Sequence, residues 1–233
     1  MTQLKILVSG ALANNVYILH DDQKAVVIDP ENYGVVKGYL KTKNLKCEAV
    51  LLTHGHYDHV GGAAALKRDG AKIYIHMLDS PFTQMGDSMP VGFKSYESFD
   101  ADVLIEDGWE YKLNDTVIRA IHTPGHSPGS VCYLVDGKIK LADWSSLKAA
   151  LCENPSKAAA PIGTATESAD TAYPRQLLLS GDTLFCGGMG RTDLPGGNHS
   201  AMMRSLKKLF DMFADELPVL PGHDAATTIG NEK

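Results

Sequence analysis

Thr53-His54-Gly55-His56-Tyr57-Asp58-His59 follows directly on the apolar run Ala49-Val50-Leu51-Leu52. Three imidazoles and a carboxylate thus fall within six positions, in a chain of 233 residues with nine histidines. Imidazole nitrogen and carboxylate oxygen are the donors that borderline-soft divalent metals take. In an extended or loop segment, side chains two apart converge on one centre while their neighbours point elsewhere. His54 and His56 therefore read as ligands of one metal, and Asp58 and His59 as ligands of another. The alternative, a polar loop with chance histidines, leaves the clustering unexplained.

Two metals need further ligands, and three more candidates lie downstream. His126 sits in the turn-rich Thr123-Pro124-Gly125-His126-Ser127-Pro128-Gly129, after the strand-like Val117–Ile121. Asp182 follows Leu177-Leu178-Leu179, and His223 follows Val219-Leu220 in Pro221-Gly222-His223-Asp224. Each lies just past a predicted strand, where loops on a rigid sheet commonly carry chemistry.

Taken in order, His-x-His-x-Asp-His, Gly-His, Gly-Asp-Thr-Leu-Phe and Pro-Gly-His closely resemble the metallo-β-lactamase superfamily. Within it, the chain looks like the glyoxalase II (hydroxyacylglutathione hydrolase) branch, across roughly residues 3–230. The resemblance implies a four-layer αβ/βα sandwich, an α/β fold of two mixed sheets flanked by helices, with metals at the edge between the sheets. It implies that His54, His56 and His126 bind one metal, that Asp58, His59 and His223 bind the other, and that Asp182 bridges them. Zinc is the expected metal, with iron or manganese as alternatives.

Two ions about 3.5–4 Å apart lower the pKa of a water held between them and polarise a carbonyl. The hydroxide so formed attacks an electrophilic carbonyl, and Asp58 is the expected handler of its proton. The implied reaction is hydrolysis of a thioester, an S-2-hydroxyacylglutathione such as S-lactoylglutathione. Alternatives are a mononuclear iron persulfide dioxygenase, which resembles this ligand pattern, and a lactonase or other hydrolase of the same fold. Arg191, in Gly187-Gly188-Met189-Gly190-Arg191-Thr192-Asp193, stands where glyoxalase II-like enzymes place a basic residue against a glutathione carboxylate. Internal pairing with Asp193 is an equal reading.

Composition fits one compact domain spanning residues 1–233, 44% hydrophobic and 21% charged. A net charge of −6 without a basic cluster gives no footprint for nucleic acid. No apolar run reaches the ~20 residues of a membrane span, and no secretory signal is visible. Cys47, Cys132, Cys152 and Cys186 are scattered, which suits a reducing cytoplasm and argues against a disulfide framework. The oligomeric state is not legible.

Predicted strands are Ile6–Ser9, Val16–Leu19, Ala25–Asp29, Ala49–Thr53, Lys72–His76, Trp109–Leu113, Val117–His122 and Val131–Val135. Predicted helices are Tyr33–Lys43, Gly61–Arg68 and Met202–Phe213, the last with apolar residues on one face. Ser80–Gly92 reads as a long loop. Residues 137–175, low in apolar bulk, read as an insertion-like loop, either a tolerated surface insertion or a flap over the site. Only ten residues follow His223, so the C-terminal helical domain of longer glyoxalase II enzymes is expected to be absent. His20 and His76 read as structural, and His122 as a hydrogen-bonding support for a ligand. Asp29, in Val27-Ile28-Asp29-Pro30, reads either as a buttress for a ligand histidine or as a turn initiator.

Overall fold

A computed structural model of the protein describes residues 1–86, 96–141 and 174–233. Its strands follow the apolar runs of the sequence. In β2 (Asn14–His20), β3 (Lys24–Ile28) and β4 (Lys46–Leu51) every second residue faces one core and the residues between face another. Leu19, Val26, Ile28, Ala49 and Leu51 point to a central core, while Ile18, Ala25, Val27 and Val50 pack in an outer one. Strands covered on both faces read as continuous apolar runs.

These strands form a seven-stranded sheet with β1 (Thr2–Ser9), β5 (Lys72–His76), β6 (Val103–Ile105) and β10 (Ile139–Leu141), in the order β10-β1-β2-β3-β4-β5-β6. A six-stranded sheet faces it, in the order β15-β14-β11-β9-β8-β7. Its members are β7 (Glu110–Leu113), β8 (Thr116–His122), β9 (Val131–Asp136), β11 (Gln176–Gly181), β14 (Pro218–Pro221) and β15 (Thr227–Thr228). Ile118, Tyr133, Val135, Leu177, Leu179 and Leu220 complete the core between the sheets. A small hairpin joins β12 (Leu184–Phe185) to β13 (Gly188–Met189).

Helices close both outer faces. α1 (Tyr33–Thr42), capped by the Asn32 side chain on Val35 N, and α3 (Ala63–Arg68) bury Val36, Leu40 and Leu66 against the first sheet. α4 (His199–Met212), capped by Asn198 on Ala201 N, lays Met202, Leu206 and Leu209 on Leu178 and Val219 of the second. This is the expected four-layer arrangement, with helices on either side of two mixed sheets.

The structure departs from the sequence reading in three places. The predicted helix Gly61–Arg68 starts two residues later, as α3, and is preceded across Gly61-Gly62 by a helical turn not predicted from the sequence, α2 (Tyr57–Val60). The loop predicted from Ser80 begins with a 3-10 turn over Ser80–Gln84, and residues 87–95 lie outside the described residues. The segment 137–175 opens with β10, which pairs in parallel with β1, Thr2 opposite Ile139. Residues 142–173 lie outside the described residues. Short edge strands such as β6 and β10 carry too few residues for alternation to show.

Cysteine pairing also differs. Cys47 and Cys132 are free and buried, but Cys186 is disulfide-bonded. Scattered spacing in sequence does not set the separation of cysteines in the fold. Among the described residues, no helix is long and apolar enough to cross a membrane.

Candidate metal centre

The ends of β4, β8, β11 and β14 meet at one edge of the sandwich. Backbone hydrogen bonds join the two sheets there, Val131 N to Thr53 O at 2.8 Å and Asn15 N to Gly222 O at 2.7 Å, while Gly222 N to Gly181 O at 2.9 Å ties the ends of β14 and β11 together. Tyr133, wholly buried, donates its hydroxyl to Leu52 O at 2.9 Å, and Tyr17 donates to Pro221 O at 2.6 Å. Loops leaving four different strands are thereby held in one place.

All seven predicted metal ligands come together on this edge. His54, His56 and His126 form one group, and Asp58, His59 and His223 another, with ligand atoms in each within 4.8 Å of one another. His56 Nδ1 and His126 Nε2 are 2.8 Å apart. Asp182 stands between the groups: Oδ1 is 3.3 Å from His59 Nε2, and Oδ2 is 3.5 Å from His126 Nε2 and 3.6 Å from His223 Nε2. Asp58 Oδ2 lies 3.4 Å from His223 Nε2 and 3.7 Å from His59 Nε2. Asp58 and His59 reach the site from α2, with His56 as its N-cap residue, so a helical turn rather than an extended loop separates the two ligand pairs.

Each supporting hydrogen bond directs a lone pair inward. His59 Nδ1 donates to Asp29 Oδ2 at 2.9 Å, His126 Nδ1 to Arg191 O at 2.7 Å, and His223 Nδ1 to Leu12 O at 2.9 Å. With Nδ1 engaged in this way, Nε2 is the ring nitrogen of each that faces the site and could bind a metal. Thr53 Oγ1 donates to Asp29 Oδ2 at 2.6 Å and is free to accept from His54 Nδ1 at 3.1 Å. His54 Nε2 is then bare, and it is buried with no hydrogen-bond partner among the described residues. An unpaired buried polar atom costs about 1–3 kcal/mol. A cation between these groups removes that cost, so the donor set fits divalent metal.

Electrostatics separates the groups. Burial, reinforced by neighbouring imidazoles, pushes His54 well below the ordinary histidine range and His56 down to about 3. Burial acts the same way on His59, but Asp182, Asp58 and Asp29 together overcome it and hold that ring well above the ordinary value. His223 is raised by Asp58 and Asp182 against its own burial. Asp58 and Asp182 would rise on burial, yet the histidines hold both carboxylates low.

Other sequence expectations resolve here. Asp29 is the buttress: it accepts from Thr53 N at 2.8 Å as well as from His59, and its φ of 52° also turns the chain after β3. His122 donates to or accepts nothing from the ligands themselves; its Nε2 donates to Pro128 O at 2.9 Å, supporting the His126 loop, and its ring stacks on His76 at 4.1 Å. His20 bridges Asp21 O and Tyr39 Oη. Arg191 pairs with Asp193 through two hydrogen bonds of 2.8 and 2.7 Å, with both side chains exposed.

Two residues were not singled out from sequence. Asn14, fully buried, directs Nδ2 toward Asp58 Oδ2 at 3.4 Å and His59 Nε2 at 3.3 Å. Asp79, also fully buried, ties together the loops that carry His54, His56 and His126. Asp79 shares with Asp29 the one available signal, an acid placed shortly after an apolar strand.

A family model for the metallo-beta-lactamase superfamily matches residues 9–138. The chain belongs to this superfamily. It is 30% identical to the probable metallo-hydrolase YqgX of Bacillus subtilis (strain 168), covering 96% of this chain and 91% of that protein. It is 28% identical to the hydroxyacylglutathione hydrolase GloC of Haemophilus influenzae (strain ATCC 51907 / DSM 11121 / KW20 / Rd), covering 99% of this chain and 94% of GloC. The crystal structure of TTHA1623 in a di-iron-bound form is similar over 97% of this chain and 96% of that one, with a TM-score of 0.67 and 27% identity. The fold is that of a metallohydrolase of the superfamily, and it carries His/Asp clusters that could hold divalent metal ions.

Proposed function

We propose that the protein is a dinuclear metal-dependent hydrolase that splits the thioester of an S-2-hydroxyacylglutathione, such as S-lactoylglutathione, into glutathione and a 2-hydroxy acid. The observation that carries this reading is the position of Asp182, one oxygen toward His59 and the other toward His126 and His223. A carboxylate so placed can serve two ions at once, His54, His56 and His126 holding one and Asp58, His59 and His223 the other. Divalent ions bound there, zinc by preference with iron or manganese as alternatives, would acidify a water and polarise the thioester carbonyl.

The chain's own residues do the rest. Asp58, kept ionised by His59 and His223 and steadied by Asn14, orients the attacking water and receives its proton on a carboxylate oxygen. Water adds to the acyl carbon, the carbon–sulfur bond breaks, and the thiol leaves with a proton. Arg191 exchanges its Asp193 partner for a carboxylate of the glutathione moiety, a planar bidentate match for a guanidinium. Its backbone carbonyl accepts from His126 Nδ1 at 2.7 Å, which supports a recognition role for a residue adjoining the candidate metal centre. The glutathione thioester is favoured because GloC, similar along nearly the whole chain, is a hydroxyacylglutathione hydrolase.

Metal content per chain, measured together with thiol release from S-lactoylglutathione, tests the reading. About two ions per chain with rapid thiol release is the expected result. One iron, no thiol release, and oxygen uptake with glutathione persulfide would replace it with a persulfide dioxygenase. Two ions without thioester turnover would keep a hydrolase and redirect the search to lactones and other esters.

A further inference from the structure

Asp79 lies beyond the end of β5, at the start of the turn Ser80–Gln84, and is fully buried. Its carboxylate touches no predicted ligand side chain. Instead it collects three donors from two separate loops. Oδ2 accepts from Gly55 N at 2.8 Å and from Ser127 Oγ at 2.7 Å, and Oδ1 accepts from Gly129 N at 2.6 Å. Gly55 lies between His54 and His56, and Ser127 directly follows His126.

The backbone of Asp79 is itself anchored. Its N–H bonds His76 O at 2.9 Å, and its carbonyl accepts from Phe82 N at 3.0 Å. Both loops seat directly on this turn. A Cβ on Gly55 would fall 2.5 Å from Phe82 Cβ, and one on Gly129 would fall 2.7 Å from Asp79 N. Phe82 also meets the His56 ring edge-on at 5.8 Å. The turn is therefore in contact with both loops, whose candidate ligand atoms His56 Nδ1 and His126 Nε2 lie 2.8 Å apart.

We propose that Asp79 is a positioning residue that clamps the His54–His56 loop to the His126 loop and thereby sets the affinity of this three-histidine group for a divalent ion. The inference rests on the metal-centre reading only in taking that group as an ion site. Asn cannot replace the carboxylate. Whichever way its amide turns, an NH2 faces either Gly129 N or the pair Gly55 N and Ser127 Oγ.

Cobalt(II) titration of the full chain, followed by visible absorption, separates the two groups when each is left alone. His223→Ala disables the Asp58 group and His54→Ala disables the three-histidine group. Adding Asp79→Asn to the His223→Ala protein is expected to weaken cobalt binding by about 10–100-fold, the usual cost of losing a residue that supports ligands. Adding it to the His54→Ala protein is expected to leave binding unchanged. Equal weakening in both backgrounds would show a general structural defect and overturn the proposal, as would no change in either. If Asp79→Asn does not fold, Ser127→Ala in the same two backgrounds decides, a several-fold loss confined to the three-histidine group being expected and an unchanged affinity overturning it. Failure of His223→Ala itself to bind cobalt, with Asp79 intact, would instead remove the metal-centre reading and this inference with it.

Discussion

Asp29 Oδ2 lies 2.9 Å from His59 Nδ1, and both side chains are buried. The contact engages Nδ1 and points Nε2 at Asp58 and Asp182. Asp29→Asn keeps the left-handed backbone that Asn tolerates but exchanges one acceptor for a donor. Metal affinity of the Asp58, His59 and His223 group is expected to fall by about 10–100-fold. A competition titration with a chromophoric chelator measures it, and an unchanged affinity would remove Asp29 from the site.

The pH dependence of metal loading should differ between the groups. Metal competes with protons for its ligands. His59 and His223 have raised affinities for protons, whereas His54 and His56 have lowered ones. As pH falls below neutrality, protons reach the first pair sooner, so the Asp58 group should release its ion before the three-histidine group does. Metal content after dialysis across a pH series checks the order. Simultaneous loss, or loss from the three-histidine group first, would contradict it.

Gly222→Ala probes the position of Asp182 without replacing a candidate ligand. A Cβ there would lie 2.4 Å from Asp182 Oδ1 and 2.8 Å from His59 Cε1. Asp182 must move, and a displacement of about 1 Å at a reacting centre costs on the order of 100-fold in rate. We expect kcat for S-lactoylglutathione to fall by that order. Near-wild-type turnover would mean that the position of Asp182 is not critical.

Arg191→Ala removes an exposed pair with Asp193, and exposed pairs contribute little to stability. The melting temperature should therefore not move. KM for the glutathione thioester should rise by roughly tenfold with kcat little changed, the pattern of lost binding that is equal in ground and transition states. An unchanged KM would return Arg191 to a surface role.

Residue type and short-range spacing determine a good deal of this protein. The seven candidate ligand positions are readable because each is a polar donor beyond the end of an apolar strand. The long strands are readable because burial on both faces gives continuous apolar runs, and the helices because burial on one face imposes a period of about 3.6. Reading stops where a property depends on pairs distant in sequence. Nothing local to Asp79 reveals that its carboxylate joins loops 24 and 48 positions away. Nothing local to Asn14 places it on Asp58, and nothing local to Cys186 shows that it is disulfide-bonded. Arg191 carries a motif compatible with substrate or with Asp193, and only the folded loop brings the Asp193 carboxylate onto its guanidinium. Donor chemistry belongs to single residues and so is written in the sequence, whereas the distances between donors are set by the packing of two sheets and exist only once the chain has folded.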